Sequence, residues 1–262
     1  MTREGRRILS LLDLTSLNET DTDASISALC HKAVTRLGAV AAVCVYPRFV
    51  ALAKKSLAGT GVRVATVANF PAGEACAAAI AEEAHAALHD GADEVDVVLP
   101  YGAFLDGHAD LARDVLKAAR QACGGAVLKV ILESGAFPER AKLADACRLA
   151  VDCGTDFLKT STGKRQPGAT LDAAEVMLEA CRNAGRRVGF KASGGVRDAD
   201  TAQAYLALAD RVMGTGWVTP ATFRFGASGL LDAVLAGTPL TSPSEGEVDT
   251  LKQRGSGPGE GY

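Results

Sequence analysis

From about Ala39 onward the chain repeats one unit, a short β-branched run followed by a longer Ala-rich stretch with helical spacing. Parallel strands can only be joined by crossovers that pack back onto the sheet, so this alternation implies right-handed βαβ units. The expected strands are Val40–Tyr46, Val62–Asn69, Glu94–Leu99, Val127–Glu133, Asp156–Ser161, Arg187–Ala192, Arg211–Gly214 and Phe223–Ala227, eight in all. Gly73–Ala92 exemplifies the crossovers. There Ala77, Ile80, Ala81, Ala84 and Leu88 recur on one helical face, and Gly91 supplies a stop.

An open doubly wound sheet and a closed barrel share this alternation. No GxGxxG follows the first strand, and polar residues gather at the C-terminal ends of several strands rather than at one switch point, which favours the barrel. A length of 262 residues suits one such domain. The expected fold class is therefore α/β, a single (β/α)8 TIM barrel within residues 1–237, with an extra N-terminal helical segment and a flexible C-terminal tail at 238–262. Residues 1–38 precede the first expected strand, and Asn18 to Asp23 offer N-caps for the periodic Ile26, Leu29, Ala33 and Leu37. After Gly237, Thr, Pro, Ser, Gly and Glu dominate.

A formal net charge of -3 leaves no basic footprint for nucleic acid. Seven cysteines without a CxxC pair suggest neither a disulfide framework nor a zinc site. The apolar run Ile8 to Leu12 is too short for a signal segment and is stopped by Asp13, and no stretch is long enough to span a bilayer. The expectation is a cytoplasmic protein with no nucleic-acid or membrane partner. His31, His85, His89 and His108 form no convincing ligand pair, and Cys44 reads as a small buried hydrophobe.

The chemistry is concentrated in three lysines set in apolar strands: Lys129 in VLKVIL, Lys159 in DFLKTSTGK and Lys191 in VGFKASGG. They lie 30 and 32 residues apart, on successive strands. Alternation places Lys129, Ile131 and Glu133 on one face, Phe157 with Lys159, and Gly189 with Lys191. If those faces point inward, the amines converge. Desolvation and like-charge repulsion then favour a neutral amine, which attacks carbonyls and forms an imine able to accept electrons from a breaking carbon–carbon bond. Structural ion pairing and phosphate binding remain the other roles open to these lysines. Asp96 in GADEVDVVLP shares a face with Glu94 and Val98, and a carboxylate there is either a general acid/base or an ion-pair partner. The turns TSTGK (Thr160–Lys164), SGG (Ser193–Gly195) and GASG (Gly226–Gly229) offer glycine N–H groups of the kind that bind phosphate at the upper rim of barrels.

The segments DLTSL, CVYPRFV, TVANFPAG, GADEVDVVLPYGA, LKVILESG, DFLKTSTGK, GFKASGGVR and FRFGAS together resemble the deoxyribose-phosphate aldolases, from Asp13 to about Leu231. The resemblance implies a cofactor-free class I aldolase, a carbon–carbon lyase. It would interconvert 2-deoxy-D-ribose 5-phosphate with D-glyceraldehyde 3-phosphate and acetaldehyde in deoxynucleoside catabolism. It implies Lys159 as the Schiff-base lysine, Lys191 as the second lysine that perturbs it, and Asp96 as an acid/base group working through water. Asp13 and Thr15 match positions on the substrate's hydroxyl side. Thr162, Gly163, Lys164, Gly194, Gly195 and Ser228 match the phosphate site, and Tyr262 matches a C-terminal tyrosine that assists proton transfer. The implied partners are small phosphosugar and aldehyde substrates, with a homodimer as a candidate assembly. Two positions depart from the family pattern: Lys191 is followed by Ala192 and Ser193, and Ser228 by Gly229. A Schiff-base aldolase for another phosphosugar and a catalytically silent phosphosugar-binding regulator are the rival readings.

Overall fold

A computed structural model describes residues 3–236. Eight parallel strands close into a barrel: β1 (Leu12–Thr15), β2 (Ala42–Val45), β3 (Arg63–Ala68), β4 (Glu94–Val98), β5 (Val127–Ile131), β6 (Phe157–Lys159), β7 (Gly189–Ser193) and β8 (Phe223–Ala227). The ring is sealed where β1 pairs with β8, Leu12 opposite Phe225, and with β2, Asp13 opposite Ala42. The helices are α1 (Arg3–Ser10), α2 (Asp23–Lys32), α3 (Val50–Ser56), α4 (Ala77–His89), α5 (Tyr101–Leu105), α6 (Ala109–Cys123), α7 (Arg140–Asp152), α8 (Leu171–Arg182), α9 (Ala199–Met213) and α10 (Leu230–Ala236). Among the described residues no helix is long and apolar enough to cross a membrane.

The expected strand count holds, but two members change. The first barrel strand, Leu12–Thr15, lies inside the segment expected to be helical. Only α1 is an addition before the barrel, and α2 is the ordinary crossover from β1 to β2. Thr22, within the expected cap region, starts α2 by accepting from the Ser25 N–H at 3.2 Å in a reciprocal capping box, a device worth about 1 kcal/mol. Arg211–Gly214, expected as a strand, is instead the end of α9 and its cap. Val212 continues the buried helical face of Tyr205, Leu208 and Ala209, and Gly214 ends the helix at a φ of 88° that a side chain would strain.

Strand alternation sorts the buried residues into two sets. Leu14, Val43, Val64, Val97, Val130, Leu158, Phe190 and Phe225 face outward and pack with Ile26, Val50, Ile80 and Leu116 of the helices. Each such side chain contributes about 1.5–3 kcal/mol by leaving water. The inward set is divided. Ala42, Cys44, Ala65 and Val67 form a small apolar cluster with Leu17 on the β2 and β3 side. The other strands point charged side chains into the same interior. Phe157 fills the barrel at Gly189, where an added Cβ would lie 2.4 Å from its ring.

Candidate active site

Parallel register brings the charged residues together. Lys129 lies opposite Asp96, Lys159 opposite Lys191, Lys191 opposite Arg224, and Asp13 opposite Gly226. Asp96 accepts from all three lysines: Lys129 Nζ at 2.7 Å on Oδ1, and Lys159 and Lys191 Nζ at 2.9 and 2.8 Å on Oδ2. Lys191 also donates to Asp13 Oδ2 at 2.5 Å, and Lys129 lies 2.6 Å from Glu94 Oε2. Beneath them Arg224 bridges Asp13 and Glu94, with Nη2 to Glu94 Oε1 at 2.9 Å. Gly226 makes room for this arrangement, since a Cβ there would stand 2.9 Å from both Lys191 Cε and Ser193 Cβ.

Four basic side chains (Lys129, Lys159, Lys191, Arg224) thus meet three carboxylates (Asp13, Glu94, Asp96) in a buried space. Full ionisation would leave one uncompensated positive charge, which a low-dielectric interior resists. The amines share the strain unequally. Burial pushes every lysine toward neutrality. At Lys191 the carboxylates of Asp13 and Asp96 overcome it and raise the pKa above the ordinary value. At Lys129, Asp96 and Glu94 do the same. Lys159 has only Asp96, with the Lys191 ammonium opposing, and its pKa falls below the usual lysine range. Lys159 is also the one of the three lysines with accessible surface, 3% against 0% for the other two. The general lowering expected from crowded amines therefore applies to Lys159 alone.

The carboxylates are shifted the other way. Burial favours the neutral form of Asp96, but three neighbouring lysines outweigh it and hold the group well below the ordinary carboxylate range. Asp13 is held down similarly by Lys191 and Arg224. Both Asp13 oxygens are engaged in ion pairs inside the barrel. Asp13 therefore lies below the pocket, whereas Thr15, two residues on, lines it.

Above Lys159 a cavity of about 260 Å³ opens at the C-terminal ends of the strands. Thr15, Thr162, Gly163, Lys164, Gly194, Gly195 and Ser228 all line it. Gly163, Gly194 and Gly195 have φ values of 79°, 85° and 102°, turn geometry that a side chain would oppose. Thr162 Oγ1 donates to Glu133 Oε2 at 2.5 Å and accepts from the Lys164 N–H at 3.0 Å, fixing the turn. Lys164 Nζ reaches across to the Leu17 carbonyl at 2.6 Å. Gly229 lines it too, as do Ser16 and Arg197, to which the sequence assigned no role. A roomier cavity, about 440 Å³, opens at the opposite mouth between Arg63, Arg187 and Arg224, but no lysine lines it. Tyr262 lies outside the described residues.

The arrangement can hold an anion against glycine turns and present a carbonyl to a neutral amine. Sequence reasoning reached the upper half of the site and missed Arg224 and the role of Glu94. Their signal was the one that exposed the lysines, a charged residue at an alternating position in an apolar strand, EVDVV for Glu94 and FRFGA for Arg224.

A family model described as DeoC/LacD family aldolase matches residues 7–231. Among solved structures, a protein from Coccidioides immitis provisionally described as a deoxyribose-phosphate aldolase is 30% identical. The match covers 90% of this chain and 87% of that one, with a TM-score of 0.79. The deoxyribose phosphate aldolase of Aeropyrum pernix, described as having a unique tetrameric structure, is 25% identical with a TM-score of 0.72, covering 88% and 91% of the two chains. A Toxoplasma gondii ME49 protein, also provisionally described as a deoxyribose-phosphate aldolase, shares the fold at 24% identity and a TM-score of 0.81, covering 89% and 92%.

Proposed function

This chain belongs to the DeoC/LacD family of aldolases, and from that premise we propose that it is a class I aldolase. Its reaction is the interconversion of 2-deoxy-D-ribose 5-phosphate with D-glyceraldehyde 3-phosphate and acetaldehyde, through a Schiff base on Lys159. The observation that carries this reading is the asymmetry among the amines. Lys159, at the floor of the glycine-lined cavity, is the one whose environment favours the neutral nucleophile.

The substrate phosphate would sit on the turns at Gly163, Gly194 and Gly195, with Lys164 released from Leu17 to face it and Ser228 donating a hydroxyl. That placement directs the open-chain aldehyde at Lys159. Nζ attacks C1, the carbonyl oxygen takes one proton from the attacking amine and one from the Lys191 ammonium and leaves as water, and a protonated imine remains. Loss of the C3 hydroxyl proton breaks the C2–C3 bond, and its electron pair moves through C2 into the imine. Glyceraldehyde 3-phosphate departs. The Lys191 amine, left neutral by imine formation, is the base that accepts that proton through a water. Ionised and fixed by three lysines, Asp96 would orient the water that relays the C3 hydroxyl proton to Lys191 and carries one back to C2. Hydrolysis then frees acetaldehyde and the neutral amine, and the proton released returns to Lys191. The substrate places the reaction in the breakdown of deoxynucleoside sugars.

Borohydride reduction in the presence of acetaldehyde tests the reading. A two-carbon adduct on Lys159, located by peptide mass spectrometry, is expected, and an adduct confined to another lysine would overturn it. A chain that binds deoxyribose 5-phosphate without releasing acetaldehyde would establish the silent-regulator alternative.

A further inference from the structure

We propose that Glu94 and Arg224, which touch neither the cavity above Lys159 nor Lys159 itself, are positioning residues whose charges decide that Lys159 is the neutral member of the buried cluster. The inference rests on the Schiff-base reading above and extends it to the lower layer of the barrel.

Charges reach this cluster from six of the eight strands. Asp13 enters from β1, Glu94 and Asp96 from β4, Lys129 from β5, Lys159 from β6, Lys191 from β7 and Arg224 from β8. Arg63 of β3 approaches Glu94 from the opposite mouth, its Nε 3.8 Å from Oε1. Cys44 of β2 faces the same interior, and burial holds its thiol neutral by raising its pKa. Arg63 is 55% exposed and its charge is screened by water, so with Lys159 neutral three buried cations balance three carboxylates. Arg224 secures Asp13, and Asp13 secures the Lys191 ammonium. Glu94 secures Lys129, leaving Asp96 divided among three amines. Neutrality of Lys159 is thus the arithmetic remainder of pairs formed a layer below it.

Removing either lower charge changes that remainder, and the two removals act in opposite directions. Without Arg224 the cluster holds three carboxylates and two other cations, so a proton on Lys159 restores balance. Without the Glu94 charge it holds two carboxylates and three other cations, and a proton on Lys159 becomes harder to keep. Changing both together returns the original balance. A purely structural contribution would lower the rate in each variant without moving the pH profile in opposite senses.

The test measures the pH at which acetaldehyde trapping on Lys159 by borohydride reaches half its maximum rate, in the full chain. Arg224→Gln should move that midpoint alkaline and Glu94→Gln acid, each by about one pH unit, the size of one added or removed charge at an effective dielectric near 20. The double variant Glu94→Gln/Arg224→Gln and the charge-preserving Arg224→Lys should stay at the wild-type midpoint. If one single variant fails to fold, the shift of the other, read against the unmoved double variant, decides the matter. Opposite shifts in the singles, together with an unmoved midpoint in the charge-balanced pair, support the inference. Singles that keep the wild-type midpoint, or a balanced pair that loses it, overturn it. An adduct on some lysine other than Lys159 in the wild type would instead overturn the underlying Schiff-base reading.

Discussion

Lys159 and Lys191 lie in register on adjacent strands and donate to the same oxygen of Asp96, at 2.9 and 2.8 Å. What separates them is a second carboxylate: Lys191 has Asp13 and Lys159 has none. One residue is thereby disposed to keep its proton and its neighbour to lose it.

Replacement of Lys191 by Leu removes the cation that opposes a proton on Lys159 and leaves Asp13 short of a partner. We expect kcat/KM at neutral pH to fall by about 100-fold or more, with partial recovery as the pH rises through the elevated Lys159 pKa. A rate profile across pH checks this. A near-normal rate at pH 7 would remove Lys191 from the proposed mechanism.

Lys164 reaches over the cavity to Leu17 and is the one lysine of the glycine turns. Lys164→Ala should raise KM for deoxyribose 5-phosphate by about tenfold or more, the worth of a charge-assisted hydrogen bond. Turnover of unphosphorylated 2-deoxyribose should be almost unaffected. Equal losses on both substrates would place Lys164 elsewhere in the reaction.

Gly229 lines the cavity beside Ser228, and a Cβ added there meets nothing within 4 Å. Gly229→Ser therefore fits without strain and adds a hydroxyl at the proposed phosphate site. A KM for the phosphorylated substrate lower by about threefold to tenfold is expected, from a net hydrogen-bond gain of roughly 1 kcal/mol. Steady-state kinetics on the phosphorylated and unphosphorylated sugars distinguishes this from a general effect.

Acid should weaken the fold through the same cluster. Asp13 and Asp96 have folded pKa values below their ordinary ones. The stability they contribute is present above the unfolded carboxylate pKa of about 4 and is lost as the pH falls below it. Lys159, depressed in the opposite chemical sense, adds a gain in stability as the pH rises toward the unfolded lysine pKa of about 10.4. Urea midpoints measured from pH 3 to 7 should drop steeply at the acid end in the wild type and more shallowly in Asp96→Asn. Equal slopes would mean that other carboxylates govern acid unfolding.

The barrel was readable because seven of its strands are hydrophobic runs bounded by helical spacing, and the lysines because a charge in such a run is conspicuous. β1 was not, since LDLT is four residues long and sits between two helices. The segment RVMG misled for the converse reason: its apolar residues are the last turn of a helix face that starts nine residues earlier, at Ala202. Distances within the charged core were beyond the sequence altogether. Once Leu12–Thr15 is known to be a strand, alternation turns Asp13 and Arg224 inward, but only barrel closure says that they meet.

That meeting joins residues 211 positions apart, on the first strand and the last. On a ribosome, Asp13 is made early and must wait for nearly the whole chain before Arg224 exists to receive it. If the charge balance acts as proposed, an unfinished barrel lacks the arginine that deprives Lys159 of its proton. Reactivity toward free aldehydes, a hazard for any exposed neutral amine, would then switch on only in a completed molecule.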